Sequence, residues 1–161
     1  MKLAFAVLAL LFMAGGAAGD PVYLDQLMET PLATLREQFP GLKKDGCYRV
    51  AADRYVMIDI DKKEGKPWRV ALTNTPCRKP EDVPVGIDVR HRKGVELGQK
   101  TVDVLGIMGR PDASAAPEPS LKRLGDTEYF FICRVTEGCA RHTSVFVREG
   151  VVSAIAEWYS E

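Results

Sequence analysis

The segment from Ala140 to Tyr159 most constrains the fold. Two runs rich in β-branched and aromatic residues, Ala140 to Arg148 and Val151 to Tyr159, flank the dipeptide Glu149-Gly150. A two-residue turn with glycine second suits a tight hairpin, and the turn sets the register of everything beyond it. With Arg148 opposite Val151, the pairs continue as Val147–Val152, Phe146–Ser153, Val145–Ala154, Ser144–Ile155 and Thr143–Ala156. Strict alternation then predicts an apolar face of Val145, Val147, Val152, Ala154, Ala156 and Trp158. It predicts a mixed opposite face of His142, Ser144, Phe146, Arg148, Ser153, Ile155, Glu157 and Tyr159. A third strand, Glu128 to Val135, turns through Thr136-Glu137-Gly138 and adds Phe130 and Ile132 to the mixed face.

An apolar sheet face needs a cover, and the preceding stretch supplies one. Gly98 closes the strand-like Val95-Glu96-Leu97, apolar residues follow at Val104, Leu105, Ile107 and Met108, and Gly109 and Pro111 stop the pattern. The same order occurs earlier. After an extended Val22-Tyr23-Leu24, Thr30 reads as an N-cap with Pro31 at the first helical position, and Leu32, Leu35 and Phe39 keep helical spacing until Pro40-Gly41. Strands follow near Cys47 to Val50, Tyr55 to Ile60 and, past the polar hairpin loop Asp61 to Pro67, Trp68 to Thr73. Thr75 to Pro84 carries three prolines and reads as a surface linker, with Ile87 to Lys93 as a candidate edge strand. Ala113 to Ser120 reads as a loop without regular structure.

The pattern predicts an α+β protein of two tandem α-β-β-β units, with short helices packed on one face of an antiparallel sheet. The units span residues 20–79 and 95–161, separated by the linker and edge strand of 80–94. Residues 1–19 have the form of a secretory signal peptide: Lys2, an apolar run from Leu3 to Met13, then small residues. The apolar run falls short of the ~20 residues that cross a bilayer, and no cysteine stands at the cleavage site to carry a lipid. The mature chain is therefore expected to be periplasmic or secreted, with no membrane anchor.

Four cysteines in an exported chain read as two disulfides, and three pairings are open. Cys47–Cys77 and Cys133–Cys139 are favoured because each lies within one unit. Charge points to no polyanionic partner. The chain holds 22 basic and 22 acidic residues, and removing Lys2 with the leader leaves 21 against 22. Nucleic-acid binding is not expected, and the run Arg90-His91-Arg92-Lys93 reads as a solvated edge.

No set of residues announces a reaction centre. The chain has no GxSxG elbow, no glycine-rich phosphate loop and no HExxH, and oxidised cysteines offer no thiol nucleophile. Asp59, Asp61 and Glu64 crowd one hairpin, but Lys63 and Glu64 stand where a calcium loop needs an oxygen ligand and a glycine. His142 lacks an identifiable partner for general-base work. No catalytic residue, metal site or cofactor is assigned.

Leu97-Gly98, Asp103-Val104 and Gly109-Arg110-Pro111-Asp112 resemble the helix motif shared by the small lipoproteins of the outer-membrane β-barrel assembly machinery and the β-lactamase-inhibitor proteins. The likeness runs on through a Cys-containing strand, Ser144 to Val152 and Trp158, and covers about residues 95–161. Lys100 stands where that family places a Ser or Thr cap, Gln99 replaces its Met, and Gly106 costs about 1 kcal/mol against alanine in mid-helix. The resemblance implies a binding module. The expected function is a non-enzymatic module that binds another envelope or secreted protein through the mixed face, with Phe130, Ile132, His142, Phe146, Ile155 and Tyr159 as contact candidates. Two other readings stay open. One is inhibition of a secreted or periplasmic enzyme, a hydrolase for example, through hairpin residues Asp59, Asp61 and Lys62 to Lys66. The other is an enzyme of uncharacterised activity.

Overall fold

The Glu149-Gly150 turn has positive φ at both residues, 50° and 81°, the geometry that lets antiparallel strands keep their twist across a two-residue link. It joins β9 (Arg141–Arg148) to β10 (Val151–Tyr159) in a computed structural model that describes residues 20–83, 86–133 and 141–159. The expected leader, and the turn between Arg134 and Ala140, lie outside the described residues. From the N-terminus the elements are β1 (Val22–Tyr23), α1 (Leu24–Glu29), α2 (Leu32–Gln38), β2 (Asp45–Ala51), β3 (Arg54–Ile60), β4 (Pro67–Thr73), β5 (Glu81–Asp82) and β6 (Val89–Arg90). Then follow α3 (Thr101–Met108), β7 (Ala113–Ala115), a 3-10 turn (Lys122–Leu124), β8 (Thr127–Ile132), β9 and β10.

The protein is a mixed α/β fold in which few, short helices accompany one large, mainly antiparallel sheet. Its eight strands run β5-β2-β3-β4-β10-β9-β8-β7, so β4 pairs with β10 at the centre. The large core lies on one side of this sheet. There Leu24, Leu27 and Met28 of α1, Leu35 of α2 and Phe39 meet Val56, Ile58, Val70, Leu72, Val145 and Ile155. Gln26 helps start α1 by accepting the Tyr23 N–H at 2.9 Å, a device that turns the expected extended segment into a helix at Leu24. Thr30 closes α1, and Pro31 stands at the N-cap of α2.

Several sequence expectations change here. β6 does not edge the large sheet; it pairs in parallel with β1 in a separate two-stranded ladder. The linker supplies β5, which pairs in parallel with β2, and the expected loop after Pro111 begins with β7 on the far edge of the sheet. α3 covers less than its pattern suggests. Only Val104 is buried with Val145, Val147 and Val152, while Val102 is 69% and Ile107 41% exposed. Its start is tied to the hairpin instead: Thr101 donates from its backbone N–H and its hydroxyl to the Gly150 carbonyl, both at 3.0 Å.

The main correction concerns register. The pairs Arg148–Val151 and Val147–Val152 form as expected, but a β-bulge then places Phe146 opposite Ala154, Val145 opposite Ile155 and Ser144 opposite Ala156. Ser153 is the extra residue, and its hydroxyl donates to Leu124 and Phe146 carbonyls. Every residue of β10 beyond the bulge therefore changes sides. Ile155 joins the large core with Val145, whereas Ala154, Ala156 and Trp158 move to the opposite face.

Candidate protein-binding face

That opposite face is ordered in rows that cross the sheet. One row reads Cys47, Met57, Ala71, Ala156, Ser144 and Phe130. On one side of it runs Arg49, Tyr55, Thr73, Ala154, Phe146 and Glu128; on the other, Asp45, Asp59, Arg69, Trp158, His142 and Ile132.

The Phe146 side is roofed. Leu121 and Leu124 pack on Phe146, Met57, Ala71 and Ala154 in a second core cluster. Arg148 donates to the Arg123 carbonyl at 2.7 Å, and Arg123 approaches the Met57 sulfur at 3.2 Å, fastening the roof to the strands. Gly125 lets this segment come close. A Cβ there would stand 2.9 Å from the Val147 backbone N and O.

The Ile132 side is more open. Phe130, His142 and Trp158 are half-buried and Ile132 is 43% exposed. Phe130 meets the His142 ring at 4.9 Å between centroids and the Trp158 ring edge-on at 6.2 Å, an arrangement aromatic rings favour. Next to Trp158, Arg69 directs both Nε and a terminal nitrogen to one Asp59 carboxylate oxygen, each at 2.7 Å. Burial pushes the Asp59 carboxyl above its usual range, with the Asp45 charge adding to it and Arg69 opposing it. The row thus joins an aromatic cluster to a largely buried ion pair.

Of the residues expected on one binding face, the structure brings together Phe130, Ile132 and His142. Phe146 shares their side but lies under the roof, 1% exposed. The bulge sends Ile155 and Tyr159 to the helix side. Ile155 is fully buried there, and the Tyr159 hydroxyl, pushed up to about 12 by burial and by Glu29, donates to the Glu29 carboxylate. Trp158 is the member that strict alternation missed.

The other sequence candidates also find places. Cys47 and Cys77 are bonded, and Cys133 also lies in a disulfide; Cys139 is outside the described residues. Asp61 accepts the backbone N–H groups of Lys63 and Glu64 at 2.6 and 2.9 Å, which holds its carboxyl below the usual range. Asp59 is committed to Arg69, so the two aspartates do not converge. Among the described residues no group of three or more His, Cys, Asp or Glu side chains is placed to hold a metal ion. The hairpin residues Lys62, Lys63, Glu64 and Lys66 line a cleft of about 710 Å³ with Trp68 and Tyr159.

His91 departs most from its sequence context. Expected in a solvated run, it is 5% exposed and presents Nε2 to Glu157 at 3.4 Å. Glu157 also accepts from the Thr143 hydroxyl at 2.8 Å and faces Arg141 at 3.7 Å. Only the bulge puts Glu157 on this side. No protein-family model, curated protein or solved structure matches the chain.

Proposed function

We propose that the chain is an exported, non-enzymatic module that binds another envelope or secreted protein through the Ile132 side of its second sheet face. The observation that carries this reading is the row Trp158, His142 and Ile132 with Phe130 beside it: apolar and aromatic groups on consecutive strands, the rings half-buried and Ile132 exposed, next to a paired charge. Aromatic anchors beside polar groups are the usual make-up of a protein-docking centre. The Cys47–Cys77 disulfide fits an oxidising compartment. Among the described residues no helix is long and apolar enough to cross a membrane.

The family resemblance and the strand order support a tandem architecture. β2-β3-β4 and β8-β9-β10 meet at β4 and β10, their last strands, as two α-β-β-β units joined about a two-fold axis would. Under this reading α2 and α3 are equivalent elements.

A photo-crosslinking amino acid at position 132 in the producing cells tests the docking surface. Position 107 is the matched control, because Ile107 is 41% exposed and Ile132 43%. The expected result is one discrete adduct from 132 and none from 107. Equal patterns from both sites, or no adduct from 132, overturn the reading. An adduct from position 63 alone favours the inhibitor reading, in which hairpin residues Lys62 to Lys66 enter an enzyme.

A further inference from the structure

The two ends of the large sheet differ in chemistry. At one end β5 carries Glu81 and Asp82, both exposed, and charge on an edge strand discourages the addition of further strands. At the other end β7 is Ala113-Ser114-Ala115, uncharged and exposed at all three residues. Among the described residues no strand lies beyond it.

The alternation of ladder bonds tells which backbone groups of β7 are left open. Cys133, one residue past β8, donates its N–H to the Arg141 carbonyl at 3.4 Å, so the odd-numbered residues here turn to β9. Phe130 accepts the Asp112 N–H and Ile132 donates its N–H to the Asp112 carboxylate, both at 2.8 Å, so the even-numbered ones turn to the β7 side. Ala113 and Ala115 stand opposite Phe130 and Glu128 and bond to them, whereas Ser114 stands opposite Tyr129, which turns away. The Ser114 N–H and C=O therefore point out of the sheet edge.

This edge adjoins the open part of the second face. Ala113 extends the row that reaches Phe130, and because β7 begins there, Ile132 has no strand beside it on this flank. A strand added outside Ser114 would lie about 10 Å from β8, two strand spacings, and a long side chain on it crosses the small Ala113 to reach Phe130.

We infer that the partner docks by adding an extended segment antiparallel to β7. Its residue opposite Ser114 takes up the open N–H and C=O, and the residues on either side point over Ala113 and Ala115 onto the second face. A ladder of three residues is short, so it sets the direction of the segment while the Ile132 row supplies the apolar contact. The inference rests on the docking reading above and adds the form of the bound segment.

Photo-crosslinking in the producing cells, with each adduct sequenced by mass spectrometry, tests it. Ser114 shares a row with Tyr129 and Val145 on the helix side, so a partner confined to the second face does not reach position 114. Positions 114 and 132 should capture neighbouring residues of one partner, and position 82 on the opposite edge should capture nothing. Ser114→Pro removes the outward N–H, and a proline whose nitrogen faces solvent is tolerated on an edge strand. It should cut the 132 adduct about fivefold, the worth of one hydrogen bond, while Ser114→Ala leaves it unchanged. An adduct from 132 with none from 114 overturns the inference and spares the docking face, even if S114P melts early. An undiminished 132 adduct in folded S114P, the same adduct from position 82, or a second copy of this chain as the captured protein overturns it too. No adduct from 132 overturns the docking reading and the inference with it.

Discussion

Replacing Cys47 and Cys77 together by alanine is expected to lower the unfolding free energy by about 3 to 4 kcal/mol. The bond closes a loop of 30 residues, and the chain-entropy model assigns a loop of that length about 3.6 kcal/mol at 25 °C. The loop includes β3 and β4, so the free chain would have far more conformations to lose on folding. A domain of ordinary stability has about 5 to 15 kcal/mol in all, and the loss is a large part of it. Urea unfolding of the double variant, against the oxidised wild type, measures it. A loss below about 1 kcal/mol would mean that the unfolded chain is already compact around this loop.

Asp59→Ala should cost about 3 kcal/mol, because it leaves the Arg69 guanidinium largely buried beside Trp158 without its carboxylate. Changing both residues to apolar ones, Asp59→Leu with Arg69→Met, should restore most of the loss, since a buried pair rarely repays its dehydration. The pH dependence has a definite sign. The Asp59 carboxyl is raised in the folded state, chiefly by burial, so the folded chain takes up this proton more readily than the unfolded one. Its contribution is fully present below the ordinary aspartate range and is lost as the pH rises through the raised value. The wild type's advantage over Asp59→Asn should therefore grow as pH falls from neutrality through that window. Urea midpoints across the pH range check it, and a shrinking advantage would contradict the assigned burial.

The sequence was most legible where local chemistry decides. The Glu149-Gly150 turn, the helix stop at Gly109 and the alternating Trp68, Val70 and Leu72 announce elements that the structure contains. α1 was less visible, because its start depends on one side chain, Gln26, reaching back to Tyr23. The binding face was half legible, and the reason is one residue. A bulge carries no sequence rule of its own, so alternation counted through Ser153 put Trp158 on the helix side and Ile155 opposite. One signal was present. Val152 and Ile155 are both branched and lie three apart, a spacing that strict alternation cannot bury on one face. The polar group of His91, Glu157 and Arg141 was not legible, since it joins segments distant in the chain and requires the bulge to turn Glu157 inward.

The central claim is that the second sheet face is closed at Phe146 and open at Ile132. Chemical unfolding of Phe146→Ser and Ile132→Ser, side by side, tests it most directly. Phe146 is 1% exposed beneath Leu121 and Leu124, so its truncation should cost about 3 to 5 kcal/mol. Ile132, at 43% exposure, should cost only about 0.5 kcal/mol, as surface positions do. If Ile132→Ser loses as much as Phe146→Ser, the row from Trp158 to Ile132 belongs to the core and offers no surface on which a partner can dock.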